Sequence, residues 1–169
     1  LWQPFNYNYI VVYRPEDQSE LFALLGEEQD PQVAWTNAYY RAVEEEQSQP
    51  ENMYPSFNLS TSAYHLGQYE ESIRAFEAVA NRLPRRILWY QIEPIQTYQE
   101  LKRYDRVMSL TQQILQNHNR AFTELYLIRG EIYLEQGRQA DARAEFEAAV
   151  KYNRFDQAAQ QALESLSTP

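Results

Sequence analysis

The residues able to do acid-base, nucleophilic or metal chemistry are few. The chain has two histidines, His65 and His118, and no cysteine. The missing thiols exclude a disulfide, a thiolate zinc site and a cysteine nucleophile within these residues. Neither histidine has metal-ligand spacing around it, and both read as ordinary core or surface residues. Acidic residues are abundant, yet no two are spaced for paired acid-base work, and "EEEQSQPE" at 44–51 reads as a solvated helix end rather than a cation site. Asn58-Leu59-Ser60 has the form of a glycosylation sequon but falls inside a helical pattern, where chance explains it better. No catalytic residue, metal ligand or cofactor is expected.

Composition sets the class. A chain of 169 residues with 44% apolar and 14% aromatic content can bury a real core without staples. Fifteen basic against twenty-four acidic side chains give a net charge of −9, which disfavours nucleic acid and anionic membrane surfaces. No apolar run approaches the ~20 residues of a spanning helix, and no signal-peptide pattern opens the chain. Leu1 is not an initiator Met, so the chain reads as a piece of something longer. Charge is uneven. Residues 1–52 hold ten acids against Arg14 and Arg41, whereas Arg82, Arg85, Arg86, Lys102, Arg103 and Arg106 make a local basic band. That band reads either as arginines complementing helix-end carbonyls or as a docking surface for an acidic partner.

A 35-residue repeat organises the rest. Aligning "YHLGQYEESIRAFEAV", "QELKRYDRVMSLTQQI" and "LEQGRQADARAEFEAA" superposes Gly67, Lys102 and Gly137 at a turn. After each turn, Ser72, Val107 and Ala142, then Phe76, Thr111 and Phe146, then Val79, Ile114 and Ala149 trace one helical face. Another helix precedes each turn. The unit is therefore a helix-turn-helix, at residues 53–86, 88–121 and 123–156. Pro94 falls within the first helix of the middle unit, which predicts a kink near Tyr90 to Pro94. Asp30-Pro31 predicts a helix start, and Trp35, Ala38, Tyr39 and Ala42 give the leading helix, 31–47, an apolar stripe. Residues 157–166 form a capping helix whose glutamines face water. At the front, residues 1–30 combine an apolar strand within "NYNYIVVYRPED" and a short helix, "EDQSELFALL", ending at Gly26.

These units resemble the tetratricopeptide repeat. Residues 53–86 carry its pattern through Leu59, Ser60, Gly67, Tyr69, Phe76 and Pro84, and residues 123–156 through Tyr126, Gly130, Tyr133, Gly137, Ala142, Phe146 and Ala149. Lys102 and Thr111 depart from it in the middle unit. The resemblance implies an all-α helix-turn-helix superhelix over residues 31–169, here with a residual N-terminal β-strand. It also implies a non-catalytic scaffold that binds a protein or peptide.

The order of "WQPFNYNYIVVYRPE", a helical pair and the repeats, together with "LPRRILWYQIEPIQTY" and "RYDRV", resembles the C-terminal repeat region of bacterial papain-like cysteine peptidases of the bacteriocin-processing type. That resemblance makes residues 1–30 the tail of an upstream domain. It implies a bacterial, extracytoplasmic setting, with the cytoplasm as the alternative, and the chain as an accessory region of a peptidase that could partner its own upstream domain. The apolar strand could also pair two copies into a homodimer.

In the tetratricopeptide family the first helices of successive units line a concave groove. The resemblance places Tyr54, Phe57, Thr61, Tyr64 and His65 on it, then Trp89, Ile92, Gln96, Gln99 and Glu100, then Glu124, Leu127, Glu131, Leu134 and Glu135. Such a groove is aromatic at one end and acidic at the other. Where some members hold a peptide's terminal carboxylate with Lys and Asn, this chain has Phe57, Ile92 and Leu127, so that clamp is absent. The plainer alternative is that Tyr54, Phe57 and Trp89 pack against the N-terminal helices.

Overall fold

A computed structural model describes residues 31–84, 86–89, 91–117 and 119–166. The expected strand, the helix after Pro15 and the Asp30 cap lie outside these residues, as do Arg85 and His118. Among the described residues every regular element is helical. The chain divides into two compact units at Pro84/Arg85.

The first unit contains α1 (Pro31–Ser48), α2 (Met53–His65) and α3 (Tyr69–Val79). Ala34, Trp35, Ala38 and Ala42 recur at helical spacing and form the buried stripe of α1. Asn52 starts α2 by accepting the amide of Tyr54 at 3.1 Å, and Pro55 sits in the first turn, where its missing donor costs nothing. Ala42, Leu59 and Ala75 pack together, one from each helix, with Tyr39 and Val43 against them. Tyr39 also donates to Glu71 at 2.8 Å, tying α1 to α3.

The second unit contains a 3-10 turn (Ile87–Trp89), α4 (Glu93–Glu100), α5 (Tyr104–Asn117), α6 (Thr123–Glu135), α7 (Gln139–Tyr152) and α8 (Gln157–Ser165). The kink expected near Tyr90 to Pro94 does not occur at Pro94, and Tyr90 lies outside the described residues. Pro94 occupies the first turn of α4, so the helix begins at the proline instead of bending through it. The middle unit pays for this in length, α4 having 8 residues where α2 and α6 each have 13. Asp156 opens α8 by accepting the amide of Ala159 at 3.1 Å, and Arg143 donates to the carbonyl of Leu166 at 3.0 Å to hold its end.

The three inter-helix turns are built alike. Gly67 donates to Tyr64 and Gln68 to Ala63, Lys102 to Gln99 and Arg103 to Tyr98, Gly137 to Leu134 and Arg138 to Tyr133, all within 2.8–2.9 Å. This pair of bonds is the Schellman closure, and it needs a left-handed residue after the helix. Gly67 and Gly137 have φ of 72°, and Lys102 adopts φ of 55° despite its side chain. The nine face positions from Ser72 to Ala149 named above are all buried.

Side-chain volume is traded within each unit. Ser60 and Phe76 are buried in the first, Gly130 and Phe146 in the third, while the equivalent residues in the middle are Ile95 and Thr111. Large and small have exchanged helices. A second trade involves charge. Where Leu59 packs with Ala75, the third unit holds Arg129 and Glu145 as a 2.6 Å ion pair with little exposure. Burial lifts the Glu145 carboxyl above its ordinary range, and the attraction of Arg129 only partly opposes it.

Candidate functional site

The groove residues fall in both units. In the first, Phe57 and Thr61 are each only 1% exposed, and the Phe57 ring lies 6.4 Å from that of Phe76. Both serve packing, because a side chain so enclosed offers no surface to a ligand. Asn58 and Ser60 of the sequon are buried too, which removes the acceptor from any surface chemistry. Tyr54, Tyr64 and His65 are half-buried. His65 stacks on Trp35 with centroids 3.8 Å apart and planes 8° from parallel. Tyr64 meets His65 edge-on at 5.2 Å and Tyr69 at 5.9 Å. An aromatic cluster thus closes the α2 end, joining α1 to the turn before α3.

In the second unit Trp89 ends the 3-10 turn and Ile92 is the N-cap residue of α4. The half-buried Gln96 and Gln99 and the exposed Glu100 lie on α4; on α6, Glu124, Glu131 and Glu135 are exposed while Leu127 and Leu134 are half-buried. Glu124, Leu127, Glu131 and Glu135 run along one helical stripe. Its carboxylates are positioned rather than loose. Gln99 donates from Nε2 to Glu131 at 2.9 Å, bridging α4 and α6, and Tyr104 donates its hydroxyl to Glu135. That bond to Glu135 raises the Tyr104 hydroxyl above its ordinary range, with a smaller contribution from burial.

Tyr104 is a residue that groove reasoning missed, since it belongs to a second helix. The available signal was its register: Tyr69 and Tyr104 both open the helix after a turn, where a phenol can reach across to a neighbouring first helix. Among the described residues no group of three or more acids and histidines is placed to hold a metal ion.

Members of the basic band make contacts within the chain. Arg82 donates to the carbonyl of Glu51, and Arg106 lies over the Tyr98 ring at 5.4 Å. Lys102 and Arg103 are exposed at their turn.

Residues 123–156, which hold α6 and α7, match the family model described as tetratricopeptide repeat. Comparison with curated proteins and with solved structures gave no significant match. No described helix is long and apolar enough to cross a membrane. The family match over one helical pair, the all-helical architecture and the recurring Schellman turns together support a tetratricopeptide-repeat protein, a class of protein-interaction scaffold.

Proposed function

We propose that this chain is a non-catalytic scaffold that takes a protein or peptide segment along the exposed stripe of its second unit, and that the segment carries Lys or Arg. The observation that supports this reading is the pair of oriented carboxylates, Glu131 held by Gln99 and Glu135 held by Tyr104. Preorganised acids lose little entropy when a cation arrives, which favours binding over mere solvation. Half-buried Leu127 and Leu134 flank them and offer apolar contact to the stem of a lysine or arginine.

Half-buried Tyr54 at the start of α2, and Tyr64 and His65 at its end, remain candidate contacts in the first unit. Phe57 and Thr61 leave the proposed surface because they are buried. A narrower form of the proposal makes the chain the accessory region of a papain-like cysteine peptidase; it rests on the sequence resemblance and requires a Cys and a His at papain-like spacing upstream of Leu1.

Selection of a displayed random-peptide library on the chain tests the reading. Enrichment of Lys- or Arg-bearing peptides that no longer bind Glu131→Gln/Glu135→Gln is the expected result. Enrichment that is indifferent to both substitutions, or no enrichment, would overturn it.

A further inference from the structure

Residues 55–63 of α2 are all buried, about two and a half turns in which no side of the helix stays open. One side is accounted for by α1 and α3. Ser56 donates its hydroxyl to Glu46 of α1 at 2.6 Å, Leu59 packs with Ala42 of α1 and Ala75 of α3, and the Ser60 hydroxyl lies 3.3 Å from that of Ser72 in α3. At about 100° of turn per residue, Asn58 and Thr61 lie on the opposite side of α2 from these three. They are enclosed all the same, at 4% and 1% exposure. Neither Asn58 Nδ2 nor Thr61 Oγ1 has a hydrogen-bond partner among the described residues. Buried polar atoms are rarely left unmatched, so whatever covers this side of α2 should also supply their partners.

The chain itself delivers a segment to that place. Trp35, near the start of α1, stacks on His65 with centroids 3.8 Å apart, and His65 lies one turn beyond Thr61 on the same side of α2. The polypeptide that precedes Pro31 therefore joins α1 beside the Asn58–Thr61 side. The first unit runs from Leu1 to Pro84, and residues 1–30 are its one long stretch outside α1, α2 and α3. Within that stretch the sequence offers two candidates, the extended apolar run "YNYIVVY" at 7–13 and the helical pattern at 16–25. A helix keeps its backbone groups to itself, whereas an extended run leaves amides and carbonyls to be satisfied by other groups. Unmatched side chains on α2 thus favour the extended run.

We propose that residues 7–13 lie along the Asn58–Thr61 side of α2, their backbone meeting the Asn58 amide and the Thr61 hydroxyl. Residues 14–30 are more than long enough to carry the run there from Pro31. The chain thereby fills the groove of its own first unit and leaves partner binding to the second. This contact does not depend on Glu131 or Glu135, so it and the cation site can fail independently.

Because the chain has no cysteine, an engineered pair reports on the contact without interference. Thr61→Cys is combined in the full chain with Asn8→Cys, Tyr9→Cys, Ile10→Cys, Val11→Cys or Val12→Cys, and separately with Glu20→Cys. Circular dichroism verifies that each variant folds. Under mild oxidation at low micromolar concentration, alternate positions of the run should close an intrachain disulfide about tenfold or more faster than the Glu20→Cys control, since successive side chains of an extended segment face opposite ways. Closure no faster than the control at all five positions, or closure only between chains, would overturn the proposal. Hydrogen exchange gives a second readout that needs no cross-link. The amides of residues 7–13 should be protected by about tenfold or more, and Thr61→Val, which keeps the shape but removes the hydroxyl, should weaken that protection and lower the denaturation midpoint. Unchanged exchange with a raised midpoint in Thr61→Val would mean that the hydroxyl had no partner, and would overturn the proposal equally.

Discussion

Gly130 faces the ring of Phe146 so closely that a Cβ on Gly130 would overlap Cε1 and come within 2.7 Å of Cδ1 and Cζ. The glycine is there for clearance, since its backbone is helical and the aromatic ring fills the space a side chain would take. Gly130→Ala should destabilise the chain by about 1–3 kcal/mol, the usual cost of overpacking. Phe146→Ala should cost about 3–5 kcal/mol. Because the second change removes the first one's obstacle, the double variant should be clearly more stable than the sum, and urea denaturation of the four proteins reads the coupling.

The middle unit offers the converse exchange. Thr111→Phe alone should destabilise by about 1–3 kcal/mol, for Ile95 already occupies the facing position in the repeat register. Adding Ile95→Gly should recover part of the loss by restoring the arrangement of the third unit. Additive costs would show that the two positions do not share a space.

Lys102 is the one non-glycine residue with positive φ among the described residues. An L side chain in that region costs about 1–2 kcal/mol, and glycine gives back part of the gain through its freer unfolded chain. Lys102→Gly should therefore raise stability by at most about 1 kcal/mol, while Gly137→Ala should lower it by a similar amount. Thermal melts of the two variants should move in opposite directions.

The Arg129–Glu145 pair links stability to pH. Its burial raises the folded carboxyl above the unfolded value near 4.5, so the folded state holds this proton more tightly. The corresponding stabilisation is complete below the unfolded value and is lost as pH rises through the folded one. Arg129→Leu/Glu145→Ala copies the apolar pair of the first unit. It should be neutral or stabilising at neutral pH, whereas either single change leaves a buried partner stranded and should destabilise. As pH falls toward 4.5, wild type should gain on the double variant in denaturation midpoint.

Helix phase and turn position were legible in the sequence because they depend on local spacing. Gly67, Lys102 and Gly137 mark the same backbone closure, and the face from Ser72 to Ala149 is buried throughout. Pro94 was misread since its effect depends on where the helix starts, and the 3-10 turn ahead of it moves that start to Glu93. The candidate surface was less legible. Periodicity assigns Phe57 and Thr61 to a stripe of α2 but does not say whether that stripe stays open, and residues 55–63 are buried without interruption. The bonds from Gln99 and Tyr104 join residues 32 and 31 positions apart, beyond the reach of any local pattern.

The central claim is that oriented carboxylates on α6 receive a cationic segment. The Gln99 side-chain amide reports on this directly, as it donates to Glu131. Titration of a selected Lys- or Arg-bearing peptide, followed by nuclear magnetic resonance of that amide and of the Glu131 and Glu135 carboxylates, should show all three moving together, with affinity falling as salt rises. A peptide that binds while these three resonances stay in place would contradict the account.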